Sequence, residues 1–144
     1  MRSPLAFADR FFERRQDLLL LLFRLVLGSM FMWHGFPKLT GGMETWVKLG
    51  ATMKVLGITF APALWGFMPA IIEFGGGLLL FLGLFYRLAA FFLFSNMMMA
   101  FSIQMLSGAG LFKAAQSLED GFSFIAALGV GPGKYSLDHY LFKN

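Results

Sequence analysis

Apolar residues fall along this chain in four long runs, separated by short clusters of charge, glycine and proline. The first runs roughly from Leu18 to Gly35, and Pro37 is expected to stop it, because its ring removes a helix hydrogen bond. The second extends from about Ala63 to Phe85. The third follows a short turn at Tyr86-Arg87 and reaches about Leu106. The fourth, from about Ala114 to Val130, is closed by Gly131-Pro132-Gly133. Each approaches the ~17–25 residues that carry a helix across a ~30 Å hydrocarbon core. The pattern predicts an all-α integral membrane four-helix bundle.

The remaining segments read differently. The connection from Pro37 to Pro62 holds Trp46, Val47, Leu49, Met53 and Leu56, and predicts an interfacial helix lying along the membrane or folded over the bundle. Residues 1–17 mix Arg2, Arg10, Arg14 and Arg15 with Asp9, Glu13 and Asp17. Their alternating Leu5, Phe7, Phe11 and Phe12 predict a short cytoplasmic, interfacial helix ahead of a transmembrane domain over 18–144. No small-residue cleavage site follows the first apolar run, which is therefore expected to be a retained span and not a signal peptide.

Composition sharpens the membrane assignment. Hydrophobic residues make up 58% of the 144 positions and charged residues 14%, against about 25% charged in a soluble domain. A soluble chain of this size could not hide so much apolar surface. The net charge of +4 and a pI near 9.7 do not point to nucleic acid, because the basic residues flank apolar runs instead of forming a patch. The N-terminal arginines, Arg87, Lys134 and Lys143 outnumber Lys38, Lys48, Lys54 and Lys113 on the opposite side. The positive-inside rule then puts both termini in the cytoplasm. The absence of cysteine excludes disulfides, thiolate metal sites and thiol nucleophiles.

Ionisable groups inside spans are costly and mark candidate function. Here they are Arg24, His34, Glu73 and Glu119 with Asp120, joined by the amide of Gln104. At ~1.5 Å per residue, Arg24 lies roughly 9 Å above the inner end, Glu73 roughly 18 Å and His34 roughly 24 Å. Glu119 and Gln104 fall at similar depths, so one polar residue per helix converges on the outer half of the bundle. Arg24, Gly28, Phe31, Gly35 and Lys38 share a face, and Glu73 shares one with Gly66, Gly76 and Gly77. A structural alternative stands beside each. Arg24 could pair with a carboxylate or snorkel, and Glu73 could be a buried tie. His34 could bond at the headgroups, Glu119 and Asp120 could be wetted, and Gln104 could join helices.

Other chemistries find less support. Met97-Met98-Met99 cannot face one copper ion from a helix, and no metal site is expected. Gly75-Gly76-Gly77 lies mid-membrane and lacks a P-loop lysine. No flavin or NAD fingerprint is present, so no cofactor is encoded by a recognisable motif.

Several motifs in order carry a resemblance to a known family. They are Arg24-Leu25-Val26-Leu27-Gly28, His34-Gly35-Phe36-Pro37-Lys38-Leu39, Glu73-Phe74-Gly75-Gly76-Gly77 and Leu82-Gly83-Leu84-Phe85-Tyr86-Arg87-Leu88-Ala89-Ala90. After Glu119 comes Gly131-Pro132-Gly133-Lys134-Tyr135-Ser136-Leu137-Asp138. Over about 18–140 the chain resembles the DoxX family of small four-helix membrane proteins. The resemblance implies a multi-pass protein of the bacterial cytoplasmic membrane, associated with redox chemistry. Relatives include the membrane subunit of thiosulfate:quinone oxidoreductases. Many relatives carry a histidine near the end of helix 3 where this chain has Gln104, which departs from a two-histidine site. The expected function is a redox subunit binding a quinone in the bundle. Glu73 and His34 would handle protons, while Arg24, Glu119, Gln104 and Lys38 bind the ligand. The alternative is a non-catalytic membrane anchor or accessory. Expected partners are the lipid bilayer and another protein or a second copy.

Overall fold

The computed structural model describes residues 10–142, so the outermost N-terminal positions, including Leu5 and Phe7, lie outside the described residues. A turn of helix at 10–13 precedes α1 (Gln16–Thr40), α2 (Gly42–Gly50), a 3-10 segment (Ala51–Leu56) and α3 (Pro62–Leu82). Then come α4 (Tyr86–Leu106), α5 (Leu111–Val130) and α6 (Leu137–Phe142). Among the described residues there is no strand. Helices α1, α3 and α4 are long and apolar enough to cross a membrane. Four such helices were expected. α5 is 20 residues long, but Lys113, Glu119 and Asp120 lower its apolarity below that of the other three.

Glycines set how closely the helices pack. A Cβ on Gly28 would come within 2.7 Å of the Gly77 carbonyl, and one on Gly77 within 2.9 Å of the Gly28 carbonyl. Two turns along α1, Gly35 lies directly against the backbone of Phe74. The backbones of α1 and α3 therefore touch, as small residues permit between membrane helices. The core around this contact holds Phe31, Leu80, Tyr86, Leu93, Met97 and Phe124. Phe31 of α1 and Phe124 of α5 meet edge to face at 4.9 Å.

Pro37 does not stop α1, which continues to Thr40. Only one helix bond is lost to the proline, and the exposed side of the helix carries the loss, since Trp33 and Pro37 both lie there. Beyond it the turn is anchored from outside. The Trp46 indole N–H donates to the Lys38 carbonyl at 2.9 Å, and the Lys38 ammonium reaches α3. The expected interfacial helix is folded over the bundle. Gly50 sits against Pro62, Gly66 sits against Trp46, and the rings of Trp46 and Phe67 are 4.9 Å apart.

α3 ends at Leu82, three residues earlier than expected, because Gly83 adopts φ +67° and closes a Schellman cap. Its N–H bonds the Leu80 carbonyl at 3.1 Å, and that of Leu84 bonds Leu79 at 3.0 Å. Phe85 follows at φ 45°, a strained value for a side-chain-bearing residue. The Asp138 carboxylate holds it there, accepting the N–H groups of Phe85 at 2.7 Å and Tyr86 at 2.8 Å. The N-terminus of α4 is thus capped by a residue 52 positions away.

Candidate functional site

The polar residues of the spans separate into three places, of which one is a cavity. It measures about 390 Å³ and lies between α3 and α4 in the half of the molecule away from α6, roofed by α2 and the 3-10 segment. The close contact of α1 with α3 brings Lys38 across to Glu73. The Lys38 Nζ donates to Glu73 Oε1 at 2.7 Å and Oε2 at 2.5 Å. The Glu73 side chain is 5% exposed and that of Lys38 35%. From α4, the Asn96 amide donates to Glu73 Oε1 at 3.2 Å. A carboxylate this buried requires a cation or a proton, and the lysine supplies the cation.

The rest of the wall is mainly apolar, with Met53, Met68, Ile72, Met99 and Ile103. Trp65 and Gln104 also line it, and the indole N–H of the one and the carboxamide oxygen of the other are buried without a hydrogen-bond partner among the described residues. Gln104 uses its other end on Ser117 of α5, at 3.2 Å. A buried donor or acceptor left unmatched costs about 1–3 kcal/mol, which is commonly met by a ligand or water. An apolar pocket with a few convergent polar groups is the usual form of a small-molecule site.

Three of the six residues singled out from the sequence line this cavity: Lys38, Glu73 and Gln104. The other three do not. His34 is exposed on α1, near Phe31 and within electrostatic reach of Asp120 on α5. Glu119 is exposed, and its carbonyl accepts the Ser123 hydroxyl. His34 and Glu73 are therefore not brought together as a proton-handling pair.

Arg24 is 2% exposed and sits at the opposite end, beside Pro132 and Tyr135. It does not pair with Glu73. Its guanidinium donates to the carbonyls of Pro132 at 2.7 Å, Tyr135 at 2.9 Å and Phe81 at 3.4 Å. Beside it, Ser136 is buried and Lys134 meets Asp17 at 3.3 Å. The motif from Gly131 to Asp138 thus works as a structural joint at that end.

Sequence reasoning passed over Trp65 and Asn96. Asn96 carried a usable signal, since Asn96, Ala100 and Gln104 recur at four-residue spacing and share one face of an otherwise apolar helix. Trp65 carried none, because an indole near a span end is equally a headgroup anchor.

Long apolar helices, lipid-compatible outer faces and glycine-mediated contacts define this chain as a multi-pass helical membrane protein. It belongs to the DoxX family, whose sequence model matches residues 19–106, from α1 through α4. The match includes Lys38, Glu73, Asn96 and Gln104 and stops short of Glu119 and the Gly131–Asp138 joint. A search of curated proteins gives no match.

Proposed function

We propose that this DoxX protein is a redox-associated membrane subunit that holds a quinone-like ring in the Lys38–Glu73 cavity. The observation that carries the reading is a buried ion pair at the wall of an apolar cavity, with an unmatched donor and an unmatched acceptor nearby. The volume of about 390 Å³ lies within the range of small-molecule sites, about 300–1,000 Å³. A bound quinone supplies electron-accepting chemistry and takes up protons at its two oxygens. The Lys38 ammonium and the Trp65 N–H would donate to those oxygens, and the Gln104 carboxamide oxygen would accept from a ring hydroxyl. Glu73, hydrogen-bonded to Lys38, would hold and release the proton where water is scarce. Electrons would come from a protein partner, since the chain has no flavin or NAD fingerprint.

The reading has a direct test. Titrating the purified protein with a short-tailed benzoquinone should quench tryptophan fluorescence saturably. Trp65→Phe should remove the saturable part, while Trp33→Phe keeps it. Absence of saturable quenching in the wild type would leave the anchor reading instead.

The same proposal includes α5 as a fourth span. Its 20 residues reach ~30 Å, and Ala114, Ser117, Gly121, Phe124 and Ala127 turn inward along it. Both termini then face the cytoplasm of a bacterial inner membrane. Asp17 with Lys134, and Asp138 with Phe85, gather the basic segments at one end, which supports this orientation. A cysteine introduced as Arg87→Cys should react with an impermeant reagent in inside-out vesicles and stay unlabelled in intact cells. The reverse result would invert the topology.

A further inference from the structure

We infer that the cavity is loaded sideways from the bilayer, by a ligand whose polar ring carries a long apolar tail that stays between α3 and α4. The identity of the ring rests on the function proposed above, but the route rests on geometry alone. Helices α3 and α4 touch where Gly76 meets Leu93; a Cβ there would come within 3.0 Å of the Leu93 side chain. The cavity begins one turn further out, at Glu73 and Asn96. Met68 on α3 and Ser95 and Met99 on α4 line it and are exposed, so the gap between these two helices serves as its mouth and these residues as its rim.

Depth decides what these residues face. Met68 lies roughly 9 Å inside the outer end of α3, and Ser95 and Met99 lie roughly 14 Å and 20 Å from the inner end of α4. In a ~30 Å hydrocarbon core those positions are at the level of acyl chains. Rim chemistry agrees with lipid contact. Two of the three side chains are thioethers, and the Ser95 hydroxyl is satisfied within its own helix, bonding the Phe91 carbonyl at 2.9 Å. On the roof side Met53 is 4% exposed and Thr52, itself exposed, turns its hydroxyl back onto the Leu49 carbonyl at 2.6 Å, so that side offers one exposed lining residue against three between α3 and α4. Polar groups sit deep and apolar groups line the mouth, so a ring-first entry leaves the tail in lipid without burying an unmatched polar atom.

Two measurements test this. A nitroxide attached at Ser95→Cys (the chain has no native cysteine) should be relaxed in liposomes by dissolved oxygen far more than by a water-soluble nickel chelate. Dominance of the nickel chelate would make the mouth aqueous and overturn the route. The second measurement compares a dimethoxy-methyl-benzoquinone bearing a ten-carbon tail with the same ring lacking the tail, at equal concentrations in the detergent phase. The tailed ring should bind about tenfold or more tightly, and Ser95→Trp should weaken it about tenfold while moving the tailless ring less than about twofold. Equal affinities, or a tailed ring indifferent to Ser95→Trp, would overturn lateral loading and leave ring binding intact. If neither ring binds the wild type, the proposed function falls, and the nitroxide result alone decides the route.

Discussion

A Glu73→Gln protein is expected to insert, fold and pack as the wild type does, yet to lose quinone turnover by about a hundredfold or more. The structural half follows from the partners of Glu73. A glutamine keeps the length of the side chain and an oxygen that can accept from the Lys38 ammonium and the Asn96 amide, which both bond the carboxylate now. The lysine side chain is 35% exposed, so the charge left behind is not trapped in a dry interior. The chemical half follows from what an amide cannot do. It does not take up and release a proton at neutral pH, and a positioned acid or base contributes roughly 10²–10⁴-fold to rate. The comparison needs both measurements on one preparation, thermal unfolding in detergent and turnover with the partner that supplies electrons. Full activity in a well-folded Glu73→Gln protein would reduce the Lys38–Glu73 pair to a structural tie between α1 and α3.

Arg24→Met should do the opposite, costing stability and not chemistry. Arg24 lies far from the cavity and donates to the carbonyls of Pro132, Tyr135 and Phe81, so its removal strands acceptors in a buried joint. Charged hydrogen bonds of this kind contribute about 1.5–3 kcal/mol each, and the Phe81 contact at 3.4 Å is long. A loss of roughly 3–5 kcal/mol is expected, read by denaturant titration in mixed micelles. Arg24→Lys should recover only part of it, because one ammonium cannot fork toward carbonyls on separate segments. Ligand affinity of the folded fraction should stay within about twofold of wild type. A fall in affinity with unchanged stability would return Arg24 to the ligand site, where sequence reasoning had put it.

That misplacement marks the boundary between what the chain's order of residues determines and what only packing decides. Periodicity alone located the long helices, since an apolar run bounded by charge and glycine has few other solutions in lipid, but the turn expected at Tyr86-Arg87 lies at 83–85, and both residues open α4. The inward face of α1 was equally legible, and Arg24, Gly28, Phe31 and Gly35 are its buried residues. Rise per residue gives depth along a helix and puts Arg24 roughly 9 Å from Glu73, a gap a long side chain could have closed. It gives no information on which neighbour lies across the interface. The pairing of Glu73 with Lys38 depends on α1 continuing past Pro37, and that turn is held by an indole from α2, a segment the local pattern does not orient. Asp138 stood in the sequence only as the last residue of the Gly131–Asp138 motif, and its role as cap for α4 exists only because the segment before α6 folds onto the start of α4. His34 and Glu73 lie at similar depths and on neighbouring helices, yet they turn toward different partners. Gly35 packed on the Phe74 backbone leaves Lys38, one turn on, facing Glu73, while His34 stays exposed.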